Sequence, residues 1–204
     1  MIGIVNYGSG NIQAIANIYS RLNIPTKIIT EPSELHEADK LILPGVGAFD
    51  ETMKQLIGSG LKEELDKLVL HEKKTILGIC VGMQIMAESS EEGTLDGLGW
   101  IKGCVKKFEL SWFKQKPYLP HMGWNTINPK IAHPIFLNLE EEQGFYFVHS
   151  YYFECNNDSN VLASSDYGIK FSCAVYNENI YGMQFHPEKS HFNGIQLLEN
   201  FAKL

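Results

Sequence analysis

Thr75-Ile76-Leu77-Gly78-Ile79-Cys80-Val81-Gly82-Met83-Gln84 is the most informative stretch of the chain. An apolar run predicts a buried strand. It is followed by a cysteine with a glycine two residues away on either side, and then by residues suited to a helix. This arrangement matches a nucleophile elbow, the sharp strand-to-helix turn that lifts a reactive side chain above the edge of a sheet. A Cβ at either flank would collide inside so tight a turn, which accounts for Gly78 and Gly82. The elbow would set the Cys80 thiol at a helix N-terminus, where the dipole favours thiolate. A buried structural thiol among small residues is the competing reading of the same stretch.

The segments before this strand repeat its logic. Ile2-Gly3-Ile4-Val5 reads as a strand and Asn11 as a candidate N-cap. Ile12, Ile15, Ile18, Tyr19 and Leu22 recur at helical spacing. Lys27-Ile28-Ile29 and Lys40-Leu41-Ile42-Leu43 read as further strands, and 50–57 and 61–72 as amphipathic helices. Strands alternating with helices predict an α/β fold, a mostly parallel central sheet with helices on both faces. From Trp100 onward, short β-prone segments such as 145–148, 171–176 and 180–185 predict added antiparallel strands, and 194–203 predicts a closing helix. No repeat or linker divides the chain, so residues 1–204 are expected to form one domain.

A thiolate nucleophile needs a proton acceptor. Of seven histidines, His186 stands out because His186-Pro187-Glu188 follows a predicted strand at the mouth of the sheet. Proline biases the preceding residue towards extended backbone, and in an extended segment residues i and i+2 share a side. Glu188 is thus placed to orient His186 as the third member of a Cys-His-Glu triad. Acyl transfer also needs oxyanion donors. The N–H of Val81 is the expected first, and the loop Pro44-Gly45-Val46-Gly47-Ala48-Phe49 offers Val46 and Gly47 as a second source, or else is simply a strand-to-helix turn.

Composition excludes several classes. The 204 residues are 44% hydrophobic and 20% charged, enough for a chain of this size to bury roughly 70% of its unfolded surface without staples. A net charge of −7 has the wrong sign for wrapping a phosphate backbone. The longest weakly polar run, 75–87, is too short to span a bilayer, and no secretory signal is visible at the N-terminus. Four cysteines without a CxxC pair point to a reducing, cytoplasmic setting, and neither a metal nor a cofactor is expected. Gly8-Ser9-Gly10-Asn11 reads as a tight turn with a cap. Lys106, Lys107, Lys114 and Lys116, among Phe108, Trp112, Phe113 and Tyr118, read as a solvated hairpin, and Glu140-Glu141-Glu142 as a loop.

Taken together, these residues resemble the class I, or triad, glutamine amidotransferases over nearly the whole chain. Within them the segments Asn6 to Asn11, Pro44 to Phe49, Pro120-His121-Met122-Gly123-Trp124-Asn125, Phe147 to Tyr151 and Gln184 to Ser190 are similar to the glutaminase subunits of imidazole glycerol phosphate synthases. The resemblance implies that Cys80 attacks the side-chain amide of L-glutamine and that His186 protonates the leaving ammonia. Water would then hydrolyse the γ-glutamyl thioester. It implies that Gly47, Gln84, His149, Ser150 and Tyr151 hold glutamine, and that the Gly45-Val46 peptide reorients when the partner is loaded. The implied partner is a (β/α)8-barrel cyclase, bound as a heterodimer and faced by Asn11, Met122, Trp124 and Lys189. It would use the ammonia to make imidazole glycerol phosphate and an aminoimidazole carboxamide ribotide in histidine biosynthesis. His191-Phe192-Asn193-Gly194 departs from the pattern and looks more like paralogues that supply ammonia to a surface-sugar amidotransferase. The same fold could also serve a stand-alone hydrolase or a catalytically silent interaction subunit. The length fits a glutaminase domain without an acceptor-site domain of its own.

Overall fold

The computed structural model describes residues 1–109, 111 and 119–204. The hairpin expected around Trp112, Phe113, Lys114, Lys116 and Tyr118 lies outside the described residues. Five strands, β1 (Ile2–Val5), β2 (Thr26–Ile29), β3 (Lys40–Gly45), β4 (Thr75–Cys80) and β13 (Ile180–Met183), form a parallel core in the order β2-β1-β3-β4-β13. Their near-unbroken apolar runs, such as Leu41-Ile42-Leu43 and Ile76-Leu77, are what a sheet covered on both faces requires.

The connection from β1 through α1 (Ile12–Arg21) to β2 runs one way along the sheet, and that from β3 through α2 (Phe49–Gly58) and α3 (Lys62–Asp66) to β4 runs the other. Right-handed crossovers in opposite directions put these helices on opposite faces. The last helix, α5 (His191–Lys203), joins α1, where the Tyr19 hydroxyl donates to Leu198 O at 3.1 Å. The second expected helix begins as α3 and continues at Lys67–His71 as a π turn that buries Leu68 and Val69, so the helical path runs over 62–71.

The antiparallel half continues the same sheet. β12 (Ile169–Asn177) pairs with β13, then β10 (Tyr151–Cys155) and β6 (Gly103–Lys107) follow, with β5 (Ser89–Ser90) parallel at the edge. β11 (Val161–Tyr167) folds back on β12, and β8 (Asn128–Pro129) pairs with β11. Lys106 and Lys107 belong to β6: Lys106 Nζ lies 3.0 Å from a Glu91 oxygen and the Lys107 N–H donates to the same carboxylate. β7 (His121–Asn125) and β9 (Phe145–His149) make a separate antiparallel ribbon. Among the described residues no helix is long and apolar enough to cross a membrane.

Candidate active site

Parallel register brings three strand ends to one edge. Gly45 pairs with Cys80, and Met183 pairs with Ile79, so the segment after β13 leaves the sheet beside the cysteine. Ligands of open α/β sheets collect at this edge. Cys80 has φ 56° and ψ −115°, a left-handed conformation that a side chain adopts only when its surroundings enforce it. A Cβ on Gly82 would lie 1.9 Å from Leu43 O, so Gly82 is needed for the turn to pack on β3, and one on Gly78 would lie 2.7 Å from Gly82 O, so Gly78 is needed for the elbow itself to close. Gly82→Ala is therefore expected to cost about 3 kcal/mol, the upper end of ordinary overpacking. Gly58→Ala, with no atom within 4 Å of the added Cβ, serves as the neutral control. Denaturant midpoints of the two variants measure the difference.

The helix opened by the elbow, α4 (Val81–Gln84), is a single turn. A macrodipole that short contributes little to a thiolate. His186 stands between the Cys80 sulfur, which favours its protonation, and Glu188, whose Oε1 lies 2.8 Å from its Nδ1. Burial opposes charge on His186, but these two partners outweigh it and raise the imidazole's proton affinity. Glu188 is likewise held below its ordinary value: burial pushes it up, and His186 and Asn11 overcome that. Glu188 reaches His186 from a 3-10 turn, Pro187–Lys189, and not along an extended strand as expected, because proline at the first position opens the turn immediately after His186. The backbone there is anchored by His186 N–H to Tyr146 O at 2.9 Å and by the Ser190 hydroxyl to His186 O at 2.6 Å.

Asn11 occupies the N-cap of α1 but makes no side-chain cap bond. Its amide instead donates to Glu188 Oε1 at 2.6 Å, so a residue expected to face the partner orients the triad carboxylate. Oε2 of Glu188 is buried without a hydrogen-bond partner.

A cavity of about 220 Å3 opens over Cys80, lined by Gly47, Val81, Gln84, Glu92, Pro120, Val148, His149, Ser150 and Tyr151, a size suited to one small amino acid. All five residues expected to hold glutamine therefore lie on its wall. Val81 opens α4, so its N–H has no intrahelical acceptor. Val46, expected to serve the oxyanion hole after a reorientation, is held elsewhere in this structure. Its N–H donates to the Ser9 Oγ at 2.9 Å, and the Ser9 hydroxyl donates back to Val46 O at 2.9 Å, so the peptide is not presented to the cavity in this arrangement. Gly47, beside it, has φ 99°, a backbone conformation that favours glycine.

Sequence reasoning missed Glu92, the one carboxylate among the described residues of the cavity wall, which also accepts the Phe49 N–H at 2.9 Å. The acidic run after the elbow was its only trace. His149 is buried and neutral, pushed down to about 3 by burial and by its neighbour His121, which burial itself pushes down to about 4. Met122 (62% exposed) and Trp124 (48%) project from β7 into solvent, with Trp124 stacked on His191 at 5.2 Å and Lys189 lying over the Tyr146 ring. The thiols of Cys155 and Cys173 are accounted for by packing. Burial pushes Cys155 up to about 12 and raises Cys173 further.

A strained cysteine, an imidazole held between it and a carboxylate, and an amino-acid-sized cavity define a site for nucleophilic acyl transfer. Residues 3–204 match the family described as glutamine amidotransferase class-I, and the chain belongs to that family. It is 52% identical over 204 residues to "Imidazole glycerol phosphate synthase subunit HisH" of Bdellovibrio bacteriovorus, covering all of both chains. It is 43% identical to "Imidazole glycerol phosphate synthase subunit HisH 2" of Pseudomonas aeruginosa, again over the full length of both. A solved glutamine amidotransferase shares the fold at TM-score 0.72 and 20% identity, covering 99% of this chain and 97% of that one. PurLQS from Thermotoga maritima does so at TM-score 0.74 and 17% identity, with the same coverage.

Proposed function

We propose that this chain is the glutaminase subunit of a cytoplasmic imidazole glycerol phosphate synthase. It hydrolyses L-glutamine to glutamate and ammonia and hands the ammonia to a (β/α)8-barrel cyclase. The observation that carries the reading is the Cys80, His186 and Glu188 arrangement, with Cys80 on the wall of the cavity. Cys80 Sγ attacks the glutamine amide carbon, and His186 delivers its proton to the departing nitrogen. It then takes a proton from the water that attacks the thioester, so that glutamate leaves and the thiol is regenerated. Gln84, His149, Ser150 and Tyr151 shape the pocket, and Glu92 offers a counter-charge to the α-ammonium of glutamine. Val81 and a reoriented Val46-Gly47 segment supply the oxyanion N–H groups.

The Ser9 clamp gives this reading a regulatory consequence. With the Val46 N–H turned to Ser9, the hole is incomplete, so the isolated chain turns over slowly. The exposed Met122, Trp124 and Lys189 face is where the barrel docks, adjacent to the triad through Tyr146. Glutamate release is expected to rise about a hundredfold when the barrel and its nucleotide ligand are added, the value of one oxyanion donor. Ser9→Ala, which removes two hydrogen bonds of about 1 kcal/mol each, is expected to raise the isolated chain's rate about tenfold. High activity from the unmodified chain alone would instead favour a free-standing hydrolase, and no release under any condition a silent subunit.

A further inference from the structure

Directly beneath the nucleophile, four groups fix one another's orientation. The Tyr151 carbonyl can only accept a hydrogen bond. The Gln84 amide end that lies 3.1 Å from it must therefore be the NH2 group. That same nitrogen lies 2.9 Å from the Gln184 amide, so the Gln184 atom there must be the carbonyl oxygen. The Gln184 NH2 group is then left to point at the Cys80 sulfur, at 3.8 Å, a long contact of the kind sulfur's radius gives. From the backbone carbonyl to the thiol, neither amide has a free choice of direction.

The far side of the Tyr151 carbonyl is equally committed. His149 Nδ1 lies 2.8 Å from it and must be protonated, so its Nε2 accepts from His121 Nδ1 at 2.9 Å. The His121 Nε2 then accepts from the Asn125 amide at 3.3 Å, whose NH2 end is independently identified by its 2.9 Å bond to Asp166 O. Both lone-pair directions of the carbonyl are filled by donors. Gln84 has no freedom to flip and neither has Gln184, which is fully buried, with its backbone N–H on Cys173 O at 2.8 Å.

We propose that Gln184 is a further catalytic group of this site, a buried amide donor aimed at the Cys80 sulfur whose orientation is enforced by Gln84 and the Tyr151 carbonyl. The amide does not exchange a proton. It favours the thiolate over the thiol, because a sulfur anion is the better acceptor, and it holds Sγ in one position for attack. His186 stands at Cys80 as the proton carrier, so the two partners divide the work between proton transfer and stabilisation of the sulfur charge. The ionisable groups around Cys80 are His186 backed by Glu188, Tyr7 from the turn after β1, and Glu92, His149 and Tyr151 on the cavity wall. All of them are unchanged in the variants below.

The test follows alkylation of the Cys80-containing peptide by iodoacetamide, read by mass spectrometry across the pH range in the full-length chain. Gln184→Met keeps the length and removes the donor. It is expected to raise the pH midpoint of alkylation by about one to two units, the worth of a hydrogen bond to a charged acceptor. Gln184→Glu, which sets a carboxylate beside the sulfur, raises it further. In the complex with the barrel, Gln184→Met lowers kcat for glutamine about tenfold, with KM within about threefold of the unmodified chain. An unchanged midpoint in folded Gln184→Met protein overturns the proposal. The unmodified chain gives a second reading that does not depend on a variant folding: the Gln184 side-chain amide resonances shift with the same midpoint as Cys80 alkylation, and resonances that ignore Cys80 overturn the assignment. The kinetic arm rests on the glutaminase reading and the alkylation arm does not. A chain that shows the midpoint shift but hydrolyses no glutamine removes the function and keeps Gln184. One that hydrolyses glutamine with an unshifted midpoint does the reverse.

Discussion

Cys80→Ala is expected to lower glutamine hydrolysis by the complex about 10^4-fold or more, the loss typical of removing the nucleophile from a triad. Among the described residues of the site the thiol is the group able to form the acyl intermediate, and the φ of 56° that projects it is maintained by the backbone packing of Gly78 and Gly82. Alanine is tolerated sterically there, so the fold survives and the loss belongs to chemistry. A diazoketone analogue of glutamine should add its mass to the peptide carrying Cys80. Labelling at Cys104, Cys155 or Cys173 instead would remove the site assignment. Cys155 and Cys173 are protected by burial that disfavours their thiolates, and Cys104 lies on β6 with its sulfur 3.3 Å from the Ser89 hydroxyl, outside the lining of the cavity.

The parts of this site that were legible in the sequence are those whose chemistry is local. Gly78-Ile79-Cys80-Val81-Gly82 announces its own geometry, because a backbone turn of that sharpness tolerates only glycine at its flanks. The alternation of apolar strands and amphipathic helices up to Cys80 likewise dictates a covered parallel sheet, since no other arrangement buries strands that are apolar on both sides. What depends on a distant partner could not be read. Asn11 looks like a helix cap from its neighbours and becomes a ligand of Glu188 only when the first and last strands of the core are brought together. Ser9 looks like a turn residue and becomes a clamp on Val46 because the Tyr7 hydroxyl, donating to Pro44 O, ties the two loops side by side. Glu92 sits in an acidic run that would serve equally well as a solvated surface. Only the folding of β5 beside β6 turns it to the cavity. Gln184 carries no signal at all, since the meaning of its amide lies wholly in which way Gln84 forces it to face.

Glu188→Gln isolates the contribution of one buried charge. Oε1 of Glu188 accepts from both His186 Nδ1 at 2.8 Å and Asn11 at 2.6 Å, so a glutamine in its place must keep its carbonyl oxygen there and turn its NH2 towards the position of Oε2, which has no partner. The ring orientation and the Nδ1 tautomer of His186 are thereby retained while the negative charge is lost. Because geometry is retained, the expected loss in kcat is about 10^2-fold, the worth of one charge-assisted hydrogen bond, and smaller than the loss seen when a triad histidine is left in the wrong tautomer. The pH dependence moves with it. Burial opposes the His186 proton, and Cys80 and Glu188 together outweigh burial to raise its affinity. Without Glu188 the proton is lost at lower pH, so the alkaline limb of kcat/KM shifts downward. Stability follows the same linkage. His186, raised on folding, stabilises the native state fully below its unfolded value of about 6.5, and this contribution disappears as pH climbs through the higher folded value. Glu188, lowered on folding, contributes above its ordinary carboxylate value and loses that contribution as pH falls through the folded one. The variant should therefore lose most stability near neutral pH, where both increments overlap, and match the parent more closely in acid. Denaturant midpoints across the pH range, taken beside the kinetic profile, measure both shifts on the same protein. A variant with an unmoved alkaline limb would place the source of the His186 shift wholly in the Cys80 sulfur.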